Sequence, residues 1–229
     1  VEMELPIIDT EIATIAPDFR AISILVDARN ATPGAMARQV LDEACDFVRD
    51  GGPSWSEAHL AAWAEVYTRF GAKPNRTPCS AQALRKRVEK DGRIPAINPL
   101  VDLYNAVSLR YAIPVGGENF DAYVGKPRLT VADGTEEFDT VMNGDKIIEN
   151  PSKGEVIWRD DLGVTCRRWN WRQGTRTRLD AVGGRMWFIL ESLGKMPQEA
   201  LEEAGNMLVS GLRQLAPGCE VVRQKVVPA

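Results

Sequence analysis

Residues 97–121 read INPLVDLYNAVSLRYAIPVGGENFD, and the reading of this stretch decides the fold. Asn98 followed by Pro99 supplies an N-cap side chain and a proline at the first helical position, where a missing N–H does no harm. The spacing of Leu100, Leu103, Tyr104, Val107 and Tyr111 predicts a helix, and Val101, Ala106, Leu109 and Ala112 widen its apolar stripe to most of the circumference. Such a helix is buried. Asp102, Asn105 and Ser108 stand out on it, because a polar group taken out of water needs hydrogen-bond partners. They either brace neighbouring loops or line a pocket. The helix stops at Ile113-Pro114, and residues 115–119 (VGGEN) read as a tight turn before Phe120.

Working outward, residues 21–27 (AISILVD) read as a buried strand and residues 10–16 as a weaker one before it. Thr32-Pro33 opens a helix through Arg49 that ends at Asp50-Gly51-Gly52. A second helix begins at Ser56, with Leu60, Trp63, Tyr67 and Phe70 on one face and Gly71 at its stop. Ser80 caps a third, closed by Asp91-Gly92. Beyond the central helix, short strands are expected at residues 128–132, 155–159, 164–169 and 186–191. Pro197 opens a last amphipathic helix to about Leu215, and residues 220–227 form a closing strand. Helices gathered early and strands late indicate an α+β fold. No repeat or linker divides the chain, so one domain over residues 1–229 is expected. Its parts are a helical region of about residues 30–95, a motif-bearing core of about 96–192 and a terminal helix and strand at 197–229.

Composition narrows the function. The 229 residues suffice for a real core, and apolar and charged contents of 44% and 26% are those of a soluble globular protein. The longest apolar runs are too short to span a bilayer, and the acidic start VEMELPIIDTEI reads as no secretory leader, so a cytoplasmic address and no membrane partner are expected. Cys45, Cys79, Cys166 and Cys219 lack CxxC spacing, which argues for reduced thiols rather than a zinc site or disulfides. His59 is the only histidine and sits one turn before Trp63, so a structural role is expected for it, without a metal or a nucleophile–His–acid triad. No GxGxxG follows a strand and no GxxxxGK[ST] occurs, so no nucleotide cofactor is expected. Asp160-Asp161 reads as a turn between strands.

Charge is concentrated although the net charge is only −4. Lys73, Arg76, Arg85, Lys86, Arg87, Lys90 and Arg93 form one cluster, and Arg167, Arg168, Arg172, Arg176, Arg178 and Arg185 a second. Either cluster is a solvated face or the footprint of an anionic partner. The second begins in residues 163–172, GVTCRRWNWR, which interleave two tryptophans with arginines. On a strand, Arg167, Trp169 and Trp171 share one side and Arg168, Asn170 and Arg172 the other. That pattern suits phosphate forks and base stacking, or tryptophans in a core with arginines braced over them. Glu191, closing the apolar run MWFILE, is flagged for the same reason as Asp102.

NPLVDLYNAVSLRYAIPVGGENFD (residues 98–121) resembles the B3/B4 domain of the phenylalanyl-tRNA synthetase beta subunit, and FGAKP (residues 70–74), INPLVDLYNAVSLRY, PVGGE and CRRWNWR resemble free-standing relatives of it more closely still, over about residues 63–191. The resemblance implies an α+β fold whose β-sandwich, of unusual topology, is surrounded by helices. It also implies tRNA as partner, with no DNA, and hydrolysis of mischarged aminoacyl-tRNA in trans. No adenylation core is present. Asn98, Asp102 and Asn105 match the synthetase helix near the pocket, and Glu191 resembles the glutamate that recognises the mischarged side chain. The synthetase's glycine-rich editing segment is replaced here by CRRWNWR and its histidine-containing loop is missing, so the resemblance does not name the amino acid. The expected catalytic set is Asn105, Asn170 and Glu191, and the expected substrate-binding set is Asn98, Asp102, Ser108, Glu118, Arg168 and Arg172. Arg85, Lys86, Arg87, Lys90, Arg167 and Arg176 are expected to contact tRNA backbone. Two alternatives stay open: a tRNA- or RNA-binding module without activity, and a binder or hydrolase of a free amino-acid-like molecule.

Overall fold

The computed structural model, which describes residues 6–36 and 38–228, starts the central helix where the sequence places it. Asn98 Oδ1 accepts from the N–H groups of Leu100 and Val101 at 3.1 and 2.9 Å, and Pro99 follows at the first helical position. In chain order the elements are β1 (Ile7–Ile8), α1 (Thr10–Ile15), β2 (Arg20–Asp27), α2 (Gln39–Arg49), α3 (Ser56–Arg69), α4 (Ser80–Asp91), α5 (Pro99–Tyr111) and β3 (Val115–Asn119). After a 3-10 turn come β4 (Arg128–Val131), β5 (Phe138–Met142), β6 (Asp145–Glu149), β7 (Val156–Arg159), β8 (Val164–Arg167), β9 (Arg172–Gln173), β10 (Arg185–Ser192), α6 (Gln198–Leu215) and β11 (Glu220–Val226).

Two sheets organise these elements into an α+β fold. One is antiparallel with order β11-β2-β10-β3; the other runs β1-β4-β7-β8-β9, and β5 pairs with β6 alone. β2 and β10 occupy the middle of the first sheet and are apolar on both faces, as strands covered on both sides must be. Ile22, Ile24, Met186, Phe188 and Leu190 pack with Leu100, Leu103 and Val107 of α5 and Leu201, Leu208 and Leu212 of α6. On the opposite face, Leu25, Trp187 and Ile189 meet Leu129, Val156 and Trp158 of the second sheet, with Trp63 and Tyr67 of α3 filling the same core. The central helix therefore lies on the sheet that holds β10, while residues 164–167 belong to the sheet across the sandwich, not to one shared sheet.

Five local expectations are corrected. Residues 10–15 are helical, because the buried positions Ile12 and Ala16 lie four apart, although the β-branched composition favours a strand. No helix begins at Thr32-Pro33: the N–H groups of Thr32 and Gly34 donate to the carbonyls of Pro217 and Leu215 at the C-terminal end of α6, and α2 starts only at Gln39. Ala37 lies outside the described residues. Residues 115–119 form an edge strand on β10 instead of a turn. Here Gly117 permits close packing, since a Cβ there would lie 2.8 Å from the Phe188 ring. The strand from Val164 ends at Arg167, and the β5-β6 hairpin falls in the acidic stretch where no strand was expected.

His59 is structural. Its Nδ1 lies 2.8 Å from the Ala112 carbonyl, and the Leu193 N–H donates to Nε2 at 3.0 Å. Burial pushes its pKa down to about 4, so the neutral ring ties α3 to the end of α5 and to the loop after β10.

Candidate functional site

The register of β10 with β3 builds one wall of a cavity of about 270 Å³ between the two sheets. Trp187, Ile189 and Glu191 alternate onto the face turned from α5, and Trp187 pairs with Glu118 while Ile189 pairs with Gly116. Glu191 and Glu118 thus mark the two ends of this wall, about 13 Å apart along the strand at roughly 3.3 Å per residue. Tyr104 and Asn105 of α5, Ser80 and Leu84 of α4, Trp158 of β7 and the chain from Trp169 to Gln173 complete the lining. Ser80 Oγ is buried there without a hydrogen-bond partner among the described residues. Sequence reading took Ser80 for a helix cap, and nothing in its local pattern distinguishes a cap from a pocket hydroxyl.

Both glutamates are buried. Trp169 Nε1 and Trp158 Nε1 donate to Glu191 Oε2 at 2.6 and 3.2 Å, and Asn170 Nδ2 donates to Oε1 at 3.3 Å. The Tyr67 hydroxyl donates to Asn170 Oδ1 at 2.8 Å, which fixes the orientation of that amide. Thr177 Oγ1 donates to Glu118 Oε1 at 3.0 Å, and the Tyr123 hydroxyl donates to Oε2. Burial pushes Glu191 up to about 8 against the pull of Trp169, Asn170 and Trp158, and Glu118 up to about 8 against that of Thr177. Carboxyls in this range exchange protons near neutrality, as an acid–base group must. The Cys166 thiol beside them is not an activated nucleophile, because burial raises its pKa well above the usual value.

The turn after β8 supplies the remaining polar edge. Arg168 and Trp169 have φ of 46° and 64°, a left-handed pair that costs about 1–3 kcal/mol per non-glycine residue unless its surroundings impose it. The imposing contacts are visible. The Trp169 N–H donates to Val156 at 2.6 Å, and its ring meets Phe19 and Trp63 edge-on at 5.2 Å each. Glu155 Oε1 accepts the Arg168 N–H at 3.0 Å. This turn replaces the alternation expected of a continuous strand: Trp169 enters the core, and Arg168 turns outward over Trp171, 4.5 Å from the ring centroid.

The expected site residues divide accordingly. Asn105, Asn170, Glu191, Glu118 and Arg172 line the cavity. Asn98 caps α5, and Asp102 Oδ1 accepts the Ile97 N–H at 2.8 Å, so both act as braces there. Ser108 is buried on α5 with no hydrogen-bond partner for its hydroxyl among the described residues and is not part of the lining. Arg168 borders a separate hollow with Lys73 and Arg76. Of the cations expected to meet tRNA, Lys86, Arg87 and Lys90 are exposed, and Arg85 is drawn onto Glu89 at 2.8 Å and the Gly51 carbonyl at 3.1 Å. Arg167 is buried between Glu155 and Glu149 at 2.9 and 3.0 Å, and Arg176 holds Asp160 at 2.7 Å, so both guanidinium groups are engaged inside the protein. The tryptophan walls, notably Trp158 and Trp187, were legible only as core.

A family model described as the B3/4 domain matches residues 62–207. The chain belongs to the B3/4 domain family. The matched span of the B3/4 domain holds every cavity-lining residue named above. Among solved structures, an N-terminal fragment of the phenylalanyl-tRNA synthetase beta-subunit from Pyrococcus horikoshii is similar, with a TM-score of 0.45 and 10% identity. The match covers 99% of this chain and 56% of that fragment, so the chain spans little more than half of its length. No curated protein matches the sequence. No helix among the described residues is long and apolar enough to cross a membrane.

Proposed function

We propose that this B3/4 domain binds tRNA and hydrolyses the ester of aminoacyl-tRNA charged elsewhere, acting as one domain in the cytoplasm. The observation that carries the reading is the double use of α4. Its first turns line the cavity through Ser80, Ala83 and Leu84, and the same helix carries the exposed Lys86, Arg87 and Lys90. Ser80 and Lys90 are separated by about 15 Å along a helix axis. A polyanion held on the helix therefore has its terminus beside the cavity. The volume, about 270 Å³, falls just below the usual range of roughly 300–1,000 Å³ for small-molecule sites, a size that suits an aminoacyl group.

An aminoacyl ester is labile, so holding its carbonyl beside an ordered water and stabilising the oxyanion suffices without a protein nucleophile. Asn105 and Asn170 present amides for that purpose, and Glu118 has the proton affinity of a base working near neutrality. The test is single-turnover hydrolysis of aminoacyl-tRNA by the wild type and by Asn105→Ala, with the affinity for uncharged tRNA measured alongside. Hydrolysis should fall by roughly 10–100-fold while affinity stays within about threefold. Equal losses in both would reduce Asn105 to a binding residue. If uncharged tRNA has no measurable affinity at low salt, the alternative of a free amino-acid derivative takes over, a reading that the small cavity also accommodates.

A further inference from the structure

We infer that the Glu191 end of the cavity is a receptor for an organic ammonium group, held between the carboxylate and the surrounding indoles. This deepens the reading above, on which the group would be the free α-ammonium of the aminoacyl ester. The first observation is an absence of compensation. Three other buried acids are paired with arginine, Glu155 with Arg167 at 2.9 Å, Asp160 with Arg176 at 2.7 Å and Glu136 with Arg159 at 3.9 Å, and Asp102, which faces no cavity, accepts a backbone N–H instead. Glu191 and Glu118 are as deeply buried, and neither has an ion pair among the described residues. Both face the same cavity.

The second observation is the hydrogen-bond polarity. Indole N–H groups can only donate, so Trp158 and Trp169 hold Glu191 as an acceptor, and the Asn170 amide donates to the other oxygen. Donors alone favour the ionised carboxylate, and no cation among the described residues pairs with its charge. Trp158, Trp169, Trp171 and Trp187 all line the same cavity, Trp171 with Arg168 already 4.5 Å from its ring centroid, and an indole attracts a cation placed over its face. Arg172 at the rim does not fill this role, because its guanidinium donates to the Val141 carbonyl at 3.1 Å.

The charge state follows from the surroundings. Tyr67 of α3, Cys79 before α4 and Cys166 of β8 also face Glu191, and burial raises the pKa of each, so all three stay neutral at physiological pH. Glu118 of β3 lines the same cavity, and charge on Glu191 raises its pKa further. Without a ligand Glu191 therefore holds its proton at neutrality, and an arriving ammonium displaces that proton to solvent. Affinity for a permanently protonated amine should rise as pH rises through the titration of the carboxyl.

Calorimetry on the full chain with phenethylamine and its neutral counterpart phenethyl alcohol tests this directly. The amine should bind at least about tenfold more tightly, gain roughly another tenfold between pH 7 and pH 9, and release a proton seen as a dependence of heat on buffer ionisation. In Glu191→Gln both the preference and the pH dependence should vanish. Equal binding of the two compounds, binding of neither, or pH-independent binding of the amine in the wild type would overturn the inference. Aminoacyl-tRNA and its N-acetyl derivative separate this claim from the enzymatic one. Equal hydrolysis of both would sink the ammonium receptor and leave the deacylase standing. Amine binding without hydrolysis of any aminoacyl-tRNA would do the reverse.

Discussion

A carboxyl group kept from water holds its proton to higher pH, and Glu118 and Glu191 are both pushed up to about 8 by burial, from 4.5. Between those values the folded chain carries more protons than the unfolded one. Their contribution to stability is therefore fully present below about pH 4.5 and is lost as pH rises through 8, at no more than about 1.4 kcal/mol per unit for each group. His59 has the opposite sign. Its pKa is pushed down to about 4 from 6.5, so its contribution is present above 6.5 and is lost as pH falls through 4. The window from pH 6.5 to 8 isolates the glutamates. Urea denaturation there should show stability falling with pH, and Glu191→Gln should remove about half of the slope; an unchanged slope would contradict the assignment. The two asparagines should also separate. Asn170→Ala strands Tyr67 and one oxygen of Glu191, with a loss of about 1–3 kcal/mol. Asn105 lines the cavity and makes no side-chain hydrogen bond among the described residues, so Asn105→Ala should stay within about 0.5 kcal/mol of wild type by the same measurement. At this scale the sequence flagged Asn105, Asn170 and Glu191 for standing in apolar surroundings. The same signal flagged Asp102, which proves to be a brace, because periodicity reports burial and not what a buried polar atom touches.

Among the elements, the edge strand β3 carries the most testable contrast. A Cβ on Gly116 would make only ordinary contacts, 3.5 Å from Ile189 and 3.8 Å from Gln173, and the position lines the cavity. Gly116→Leu should leave stability within about 1 kcal/mol and fill the pocket, eliminating turnover. A Cβ on the neighbouring Gly117 would press on the rings of Phe188 and Tyr104 at 2.8 and 3.2 Å, so Gly117→Ala should cost about 1–3 kcal/mol. Thermal denaturation of the two variants checks the order, and the reverse order would mean that β3 faces the other way. Long periodic elements such as α5 and α6 were legible because many positions repeat one message. β3 was not, since a Gly-Gly pair is a turn signal by propensity, and only the pairing partner β10 makes it a strand. The helix expected from Thr32 failed for the same reason: the carbonyls that capture its N–H groups lie some 180 residues away in the chain. The turn at Arg168 and Trp169 depends on burial of one indole in a core assembled from α3 and the loop before β2.

For the whole molecule, the net charge of −4 conceals an uneven surface, in which Lys86, Arg87 and Lys90 stand exposed and form no ion pair among the described residues. Replacing all three with glutamine should weaken tRNA binding across sequences and lower the salt-dependence slope by about 0.7–0.9 per lost phosphate contact. Replacing Arg167 and Arg176 instead should lower stability, because Asp160 loses its ion pair and Glu155 keeps only the longer one to Arg168 at 3.8 Å. The two arginine clusters looked alike in the sequence, and only the fold separates the exposed one from the one folded onto its own acids. The claim that the aromatic cavity works on an aminoacyl ester is tested most directly by incubating the protein with tRNA charged with each amino acid in turn and following ester hydrolysis. The account predicts acceleration over buffer for one or a few amino acids, abolished in the folded Gly116→Leu variant. Absence of acceleration for every amino acid, or undiminished hydrolysis with the cavity filled, would contradict it.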